Sequence, residues 1–180
     1  SLRYLQEPGT SNVQEILHQV VGEGTWLCEA ALWTEWIHVG TMVSLDASQL
    51  LTLDADGVVN ILKKHRIIRE ITADYSHQFH KFVTLAQPPM AEWPSDLCVP
   101  FTEYSNIFLG MSPDLQVTIG LISLTEALRP LFSKMSRAYQ ELQEEVQAHR
   151  CQLYLNESGQ LERVTAVTVL SIRRADERLL

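Results

Sequence analysis

Leu27-Cys28-Glu29-Ala30-Ala31-Leu32-Trp33, then His38-Val39-Gly40-Thr41, then Gln49-Leu50-Leu51-Thr52-Leu53-Asp54, is the stretch on which the fold turns. Gly22-Glu23-Gly24 before it makes a tight turn, because glycine enters the left-handed region without steric cost. Glu29–Trp33 can close one helical turn whose first amides are free. Ile37, Val39, Thr41 and Val43 alternate with His38, Gly40, Met42 and Ser44, which predicts a strand whose one face is interrupted at Gly40. Leu50–Leu53 reads as another strand, and Asp54 as the N-cap of a helix. Free amides, a carboxylate and a hydroxyl brought to one pocket in this order suit a ribose phosphate: amides hold the anion, and a carboxylate accepts from a sugar hydroxyl.

Working outward, Leu2-Arg3-Tyr4-Leu5 alternates and predicts a strand, followed by the turn cluster Pro8-Gly9-Thr10-Ser11-Asn12. Val13–Val21 reads as a strand, although Val13, Ile16, Leu17, Val20 and Val21 also fit helical spacing. The first ~55 residues are thus mostly β with short spacings, as in a roll or sandwich. Downstream, Val58, Val59, Ile61 and Leu62 mark the apolar face of a helix. A longer helix carries Ile67, Ile68, Ile71, Tyr75, Phe79, Phe82 and Val83 at steps of three and four until Pro88-Pro89 stops it. Its stripe is expected to rest on Trp26 and Trp33. Residues 88–114 hold Pro88, Pro89, Pro94, Pro100 and Pro113 and predict an irregular, packed connector. From Asp114 the chain turns helical again, and Leu128, Leu131, Met135, Ala138, Leu142 and Val146 make an amphipathic helix over 126–146. Cys151–Leu155, the turn Asn156-Glu157-Ser158-Gly159 and the β-branched run to Ile172 predict a hairpin. The fold class read from this order is α+β.

The charge is acidic: 14 Lys and Arg against 22 Asp and Glu give −8 in 180 residues. Such a surface repels phosphate backbones and argues against a nucleic-acid binder. With 46% apolar residues the chain can build a core, and none of its apolar runs is long enough to span a bilayer. Cys28, Cys98 and Cys151 are odd in number and widely spaced, which fits a reducing compartment and neither a disulfide scaffold nor a CxxC metal site. Ser1 at the start and the run ending Arg178-Leu179-Leu180 lead us to expect a piece of a longer chain.

Other chemistry is sparse. His77 and His80, with Asp74 and Glu70, could put ligands on one helix face, but a solvated acidic face accounts for the same set and no second cluster supports a metal. Cys28 beside a helix start could be a reactive thiol, against the simpler reading of a small buried residue. There is no Gly-x-Ser-x-Gly elbow, P-loop or GxGxxG. No catalytic residue is assigned, and no enzyme activity or metal is expected.

The segment resembles the C-terminal half of a cyclic nucleotide-binding domain. That family's phosphate-binding cassette runs Phe-Gly-Glu-x-Ala-Leu, a loop, Arg-x-Ala-Thr, then Cys-x-Leu-Leu-x-Leu and two helices. Leu27–Leu32, Val39-Gly40-Thr41 and Gln49–Asp54 match its parts in order. The resemblance covers roughly residues 1–87 and implies a β-roll whose first strands precede Ser1, followed by 88–180 as a connector with a helix–hairpin module. It implies a pocket of Glu29, Ala30, Ala31, His38, Gly40 and Thr41, with Glu29 toward a ribose hydroxyl and Thr41 toward a phosphate oxygen. The implied ligand is cAMP or cGMP, and no other cofactor is implied. Two positions depart from the pattern: Cys28 stands where the family has glycine, and His38 aligns with the arginine that pairs with the cyclic phosphate. Ether-à-go-go-type channels carry homologous domains that keep the fold and lose the nucleotide. The tryptophan-rich cassette is similar to domains at the cytosolic C-terminus of voltage-gated-type cation channels from protists. The resemblance therefore implies a regulatory domain on the cytosolic face of a membrane, with the rest of a potassium-type channel polypeptide or neighbouring subunits as partners. The alternatives are a cytoplasmic, non-enzymatic scaffold with an inert domain of this type, and a kinase regulatory subunit.

Overall fold

Tyr4 lies at the centre of the first sheet. In the computed structural model, which describes residues 1–128, 137–149, 151–156 and 158–164, β1 (Leu2–Gln6) pairs antiparallel with β2 (Leu17–Val21) on one side and β3 (Gly40–Ser44) on the other. The two-residue period of a strand sends Leu2, Tyr4 and Gln6 to one face, and all three are buried. Val21, Leu27, Met42 and Leu97 complete a small core around Leu2 and Tyr4. The opposite face leaves Val20 and Val43 exposed.

The strands are shorter than their sequence patterns. Ladder pairing to β1 stops at Gln6, so only Leu17–Val21 of the predicted 13–21 strand and Gly40–Ser44 of the predicted 37–44 strand are paired. The strand expected at Leu50–Leu53 does not form; the segment joins no sheet among the described residues, and Leu51 is 93% exposed. An apolar run becomes a strand only where a neighbour takes its amides, and none does here.

The helices follow the periodicity. Cys28 leads into α1 (Ala30–Trp33). Asp54 caps α2 (Ala55–Leu62), accepting from Gly57 N–H at 3.1 Å. The long helix is α3 (Arg66–Leu85). Its C-terminal half docks on α1: Tyr75 and Trp33 ring centroids are 4.5 Å apart, and Ser76 Oγ donates to Trp33 O at 3.0 Å. Phe79 is 1% exposed, whereas Ile67, Ile68 and Trp26 are exposed. Tyr75 of the apolar stripe therefore rests on Trp33, while Trp26 is left largely exposed. A four-residue helix spans about 6 Å, a fraction of the ~30 Å of a twenty-residue one, so it covers only part of the stripe.

The chain divides into two units, Ser1–Thr102 and Glu103–Leu180, so residues 88–102 fall with the first. The second begins with α4 (Tyr104–Gly110), a helix inside the expected irregular connector. The prolines of that connector flank the run Tyr104–Leu109, leaving its N–H groups free to bond, and Pro113 opens the next helix at a position where no N–H is missed. α5 (Pro113–Leu128) and α6 (Arg137–Gln147) pack with β4 (Leu153–Leu155) and β5 (Leu161–Arg163). Leu124, Val146, Cys151 and Leu153 form the core, with Tyr139 and Leu142 of α6 against it. The apolar face expected over 126–146 is thus taken, where it is described, by its own unit. Leu131, Met135 and the hairpin beyond Val164 lie outside the described residues. Gly120 makes this packing possible, since a Cβ there would stand 2.9 Å from Val146 Cγ1. The predicted turn forms, with Asn156 Oδ1 accepting from Ser158 N and Gln160 N and Gly159 in the left-handed region.

Candidate functional site

The connector that follows α3 returns to the sheet. Gln6 Nε2 donates to Pro94 O at 3.1 Å, Leu97 joins the Tyr4 core, and Ser95 Oγ accepts from Leu97 N and Cys98 N in a tight turn. Between them Asp96 is 5% exposed. Its Oδ2 accepts from Tyr4 Oη at 2.8 Å and from Val39 N at 3.0 Å. Its Oδ1 accepts from Trp36 Nε1 at 2.8 Å and from His38 Nδ1 at 2.9 Å. Cys28 Sγ lies 3.9 Å from the same Oδ1 and 3.5 Å from His38 Nδ1.

Backbone bonds close the arrangement. Cys28 N donates to Asp96 O at 2.6 Å, and Asp96 N donates to Tyr4 Oη at 3.1 Å. Cys28 sits at φ 59°, the left-handed region that side chains other than glycine rarely enter. Gly40 is needed for a different reason: a Cβ there would overlap the Tyr4 ring and hydroxyl.

A buried carboxylate is tolerable only when fully bonded. Burial alone would raise the Asp96 carboxyl, but hydrogen bonds from Trp36, His38, Tyr4 and Val39 outweigh it and hold the group below its ordinary value. Burial pushes the Tyr4 phenol well above its ordinary range, even though Tyr4 accepts the Asp96 N–H. Burial first, and the Asp96 charge second, push the Cys28 thiol up. The thiol and the carboxylate both face Nδ1 of His38. A nucleophilic Cys–His pair oriented by a carboxylate uses the two ring nitrogens separately, so this is a different arrangement.

Of the residues singled out in the sequence, His38 reaches Asp96 and Gly40 makes room for Tyr4. Ala30 is buried, while Ala31 is exposed. Glu29 is exposed and accepts from Trp33 Nε1 at 3.2 Å, away from the carboxylate. Thr41 pairs with Leu5 in the ladder and so lies on the sheet face opposite Tyr4. Among the described residues His77, His80 and Asp74 do not assemble into a ligand group; Asp74 accepts from Gln78 and His80 meets Thr34 Oγ1. Asp96, Tyr4 and Trp36 were not among the site residues expected from sequence. The one sequence signal for Asp96 was an acid inside an aromatic, proline-rich run, Trp93-Pro94-Ser95-Asp96. Beside the carboxylate lies an open groove of 330 Å³ lined by Thr10, Asn12, Trp36, Val39, Val83 and Trp93 among others.

No protein-family model, curated protein or solved structure matches this chain. Among its described residues no helix is long and apolar enough to cross a membrane.

Proposed function

We propose that the chain is a non-catalytic regulatory domain of cyclic nucleotide-binding type, on the cytosolic side of a potassium-type cation channel, whose cassette is occupied by its own Asp96. The single observation that supports this reading is the Asp96 carboxylate. It is an anion held by the Val39 amide, by His38 at the position of the family's phosphate-pairing arginine, and by Trp36 and Tyr4. Cys28 adds to it, because it adopts a glycine-type conformation where the family has glycine. The partners would be the remainder of the channel polypeptide or a neighbouring subunit. Because the connector carrying Asp96 follows α3 directly, occupancy of the cassette fixes the end of α3, the helix that moves in this family fold. Release of Asp96 would free it.

Calorimetry with cAMP and cGMP tests the reading. The intact chain binds both with Kd above about 100 μM, since the anion position is taken and the bidentate guanidinium is missing. Asp96→Ser, checked for folding by circular dichroism, vacates the position and tightens binding by about tenfold or more. Tight binding by the unaltered chain, or a folded Asp96→Ser chain that binds no better, overturns it.

A further inference from the structure

We propose that Cys28 Sγ, His38 Nδ1 and Asp96 Oδ1 are three ligands of a thiophilic divalent cation, Zn²⁺, whose fourth position is open to water. The inference rests on the geometry of these groups and not on the nucleotide reading. Among the described residues this is the one set of three or more ligating side chains whose donor atoms lie within 4.8 Å of one another.

The edges of the ligand triangle are 2.9 Å for Nδ1···Oδ1, 3.5 Å for Sγ···Nδ1 and 3.9 Å for Sγ···Oδ1. Tetrahedral zinc with ordinary Zn–N, Zn–O and Zn–S lengths gives edges of about 3.4–3.6 Å, so shifts of about half an ångström or less seat the ion. One sulfur, one imidazole and one carboxylate suit zinc and discriminate against magnesium and calcium, which take oxygen ligands.

The surroundings are those of a supported ligand set. Trp36 Nε1 bonds the ligating oxygen, and Tyr4 Oη and Val39 N fix the other oxygen of the same carboxylate. Such outer partners orient a metal-binding carboxylate and set affinity. The Cys28 backbone is pinned by its bond to Asp96 O, so thiol and carboxylate cannot drift apart independently. His38 is 65% exposed at its side chain, which gives an ion a route in and leaves room for a water. On binding, the thiol proton passes to solvent, and the imidazole proton that faces Asp96 moves from Nδ1 to Nε2. The ion then joins residues 28 and 38 to the connector at 96, replacing a web of hydrogen bonds by three bonds to one centre.

Cobalt substitution tests this. The full chain, stripped of metal with a chelator, is titrated with Co²⁺ and then with Zn²⁺. One equivalent of Co²⁺ produces a thiolate-to-cobalt charge-transfer band and the visible bands of a four-coordinate ion, and Zn²⁺ bleaches both. Cys28→Ser abolishes the charge-transfer band, whereas Cys98→Ser and Cys151→Ser keep it. His38→Ala, checked for folding by circular dichroism, weakens binding at least about tenfold, and Trp36→Phe weakens it by about 10–100-fold at unchanged stoichiometry. A wild-type chain without the band at about 1 mM Co²⁺ overturns the proposal. So does a band that survives Cys28→Ser or disappears in Cys98→Ser. Cobalt spectroscopy and nucleotide calorimetry can each fail alone, so the two readings are separable.

Discussion

At the scale of residues, one oxygen atom couples a glycine to a buried charge. The Tyr4 hydroxyl donates to Asp96 Oδ2 and accepts from Asp96 N, and the ring that carries it lies over the hydrogen where Gly40 has no side chain. Gly40→Ala must displace the ring and with it both bonds. Overpacking and the lost pairing together predict a cost of about 2–4 kcal/mol, measured by urea unfolding with an unchanged m-value. Tyr4→Phe keeps the ring and removes only the hydroxyl, leaving the carboxylate one donor short at a cost of about 1–3 kcal/mol. Because both changes break the same bonds, the double variant should cost at least about 0.5 kcal/mol less than the sum. Simple additivity would mean that Gly40 acts through something other than the ring. Asp96→Asn sets an amide N–H₂ against a cluster of donors and should cost about 2–4 kcal/mol, because it strands groups that had an acceptor.

At the scale of elements, α3 is held unevenly. Tyr75 packs on Trp33 of α1 and on the buried Phe79, and Phe82 meets Phe101 with centroids 6.4 Å apart, while Ile67 and Ile68 are exposed. Phe79→Ala should cost about 3–5 kcal/mol as a buried aromatic deletion. It should also raise amide exchange over residues 75–85 and change Trp33 fluorescence. Ile67→Ala, on the uncovered half, should stay within about 0.5 kcal/mol. Equal effects at both ends would make α3 a uniformly docked rod. The helices were legible because their cause is local: the Asp54 cap, the three–four spacing from Ile67 to Val83, and the stop at Pro88-Pro89 can all be read in a short window. Strands were less so. Leu50–Leu53 has the composition of a strand and no partner, and composition carries no information about partners. α4 was hidden because the prolines around Tyr104–Leu109 pointed to a loop for the whole stretch.

At the scale of the whole molecule, the site joins positions that no window contains. Asp96 stands 92 residues from Tyr4, 68 from Cys28 and 58 from His38. Sequence spacing selected His38 and Gly40 through local motif order, and left Asp96 unmarked because its donors become neighbours only after the connector folds back. The second unit has its own polar clamp, and it gives the chain a distinct alkaline signature. Tyr154 and Glu162 face each other in the β4–β5 register, and Tyr154 Oη donates to Glu162 Oε2 at 2.6 Å, while Tyr104 and Phe108 pack on the same ring. Burial, and then the Glu162 carboxylate, push the Tyr154 phenol from 10.0 up to about 12. The native state thus holds a proton that the unfolded chain gives up near pH 10, so stability is intact below pH 10 and falls as pH rises from 10 toward 12. The Cys151 thiol, also raised by burial, adds in the same direction from a lower starting pH. All four tryptophans, Trp26, Trp33, Trp36 and Trp93, belong to the first unit, so their fluorescence reports that unit while far-ultraviolet dichroism reports both. Tyr154→Phe keeps the ring and removes the titrating hydroxyl. It should therefore reduce the alkaline decline of the dichroism melt, leaving the part due to Cys151 and, in the first unit, to Tyr4 and Cys28, and leave the pH dependence of the tryptophan melt unchanged. Were both melts to respond alike, the two units would be unfolding as one, and the separate cores around Tyr4 and Leu124 would not be independent sources of stability.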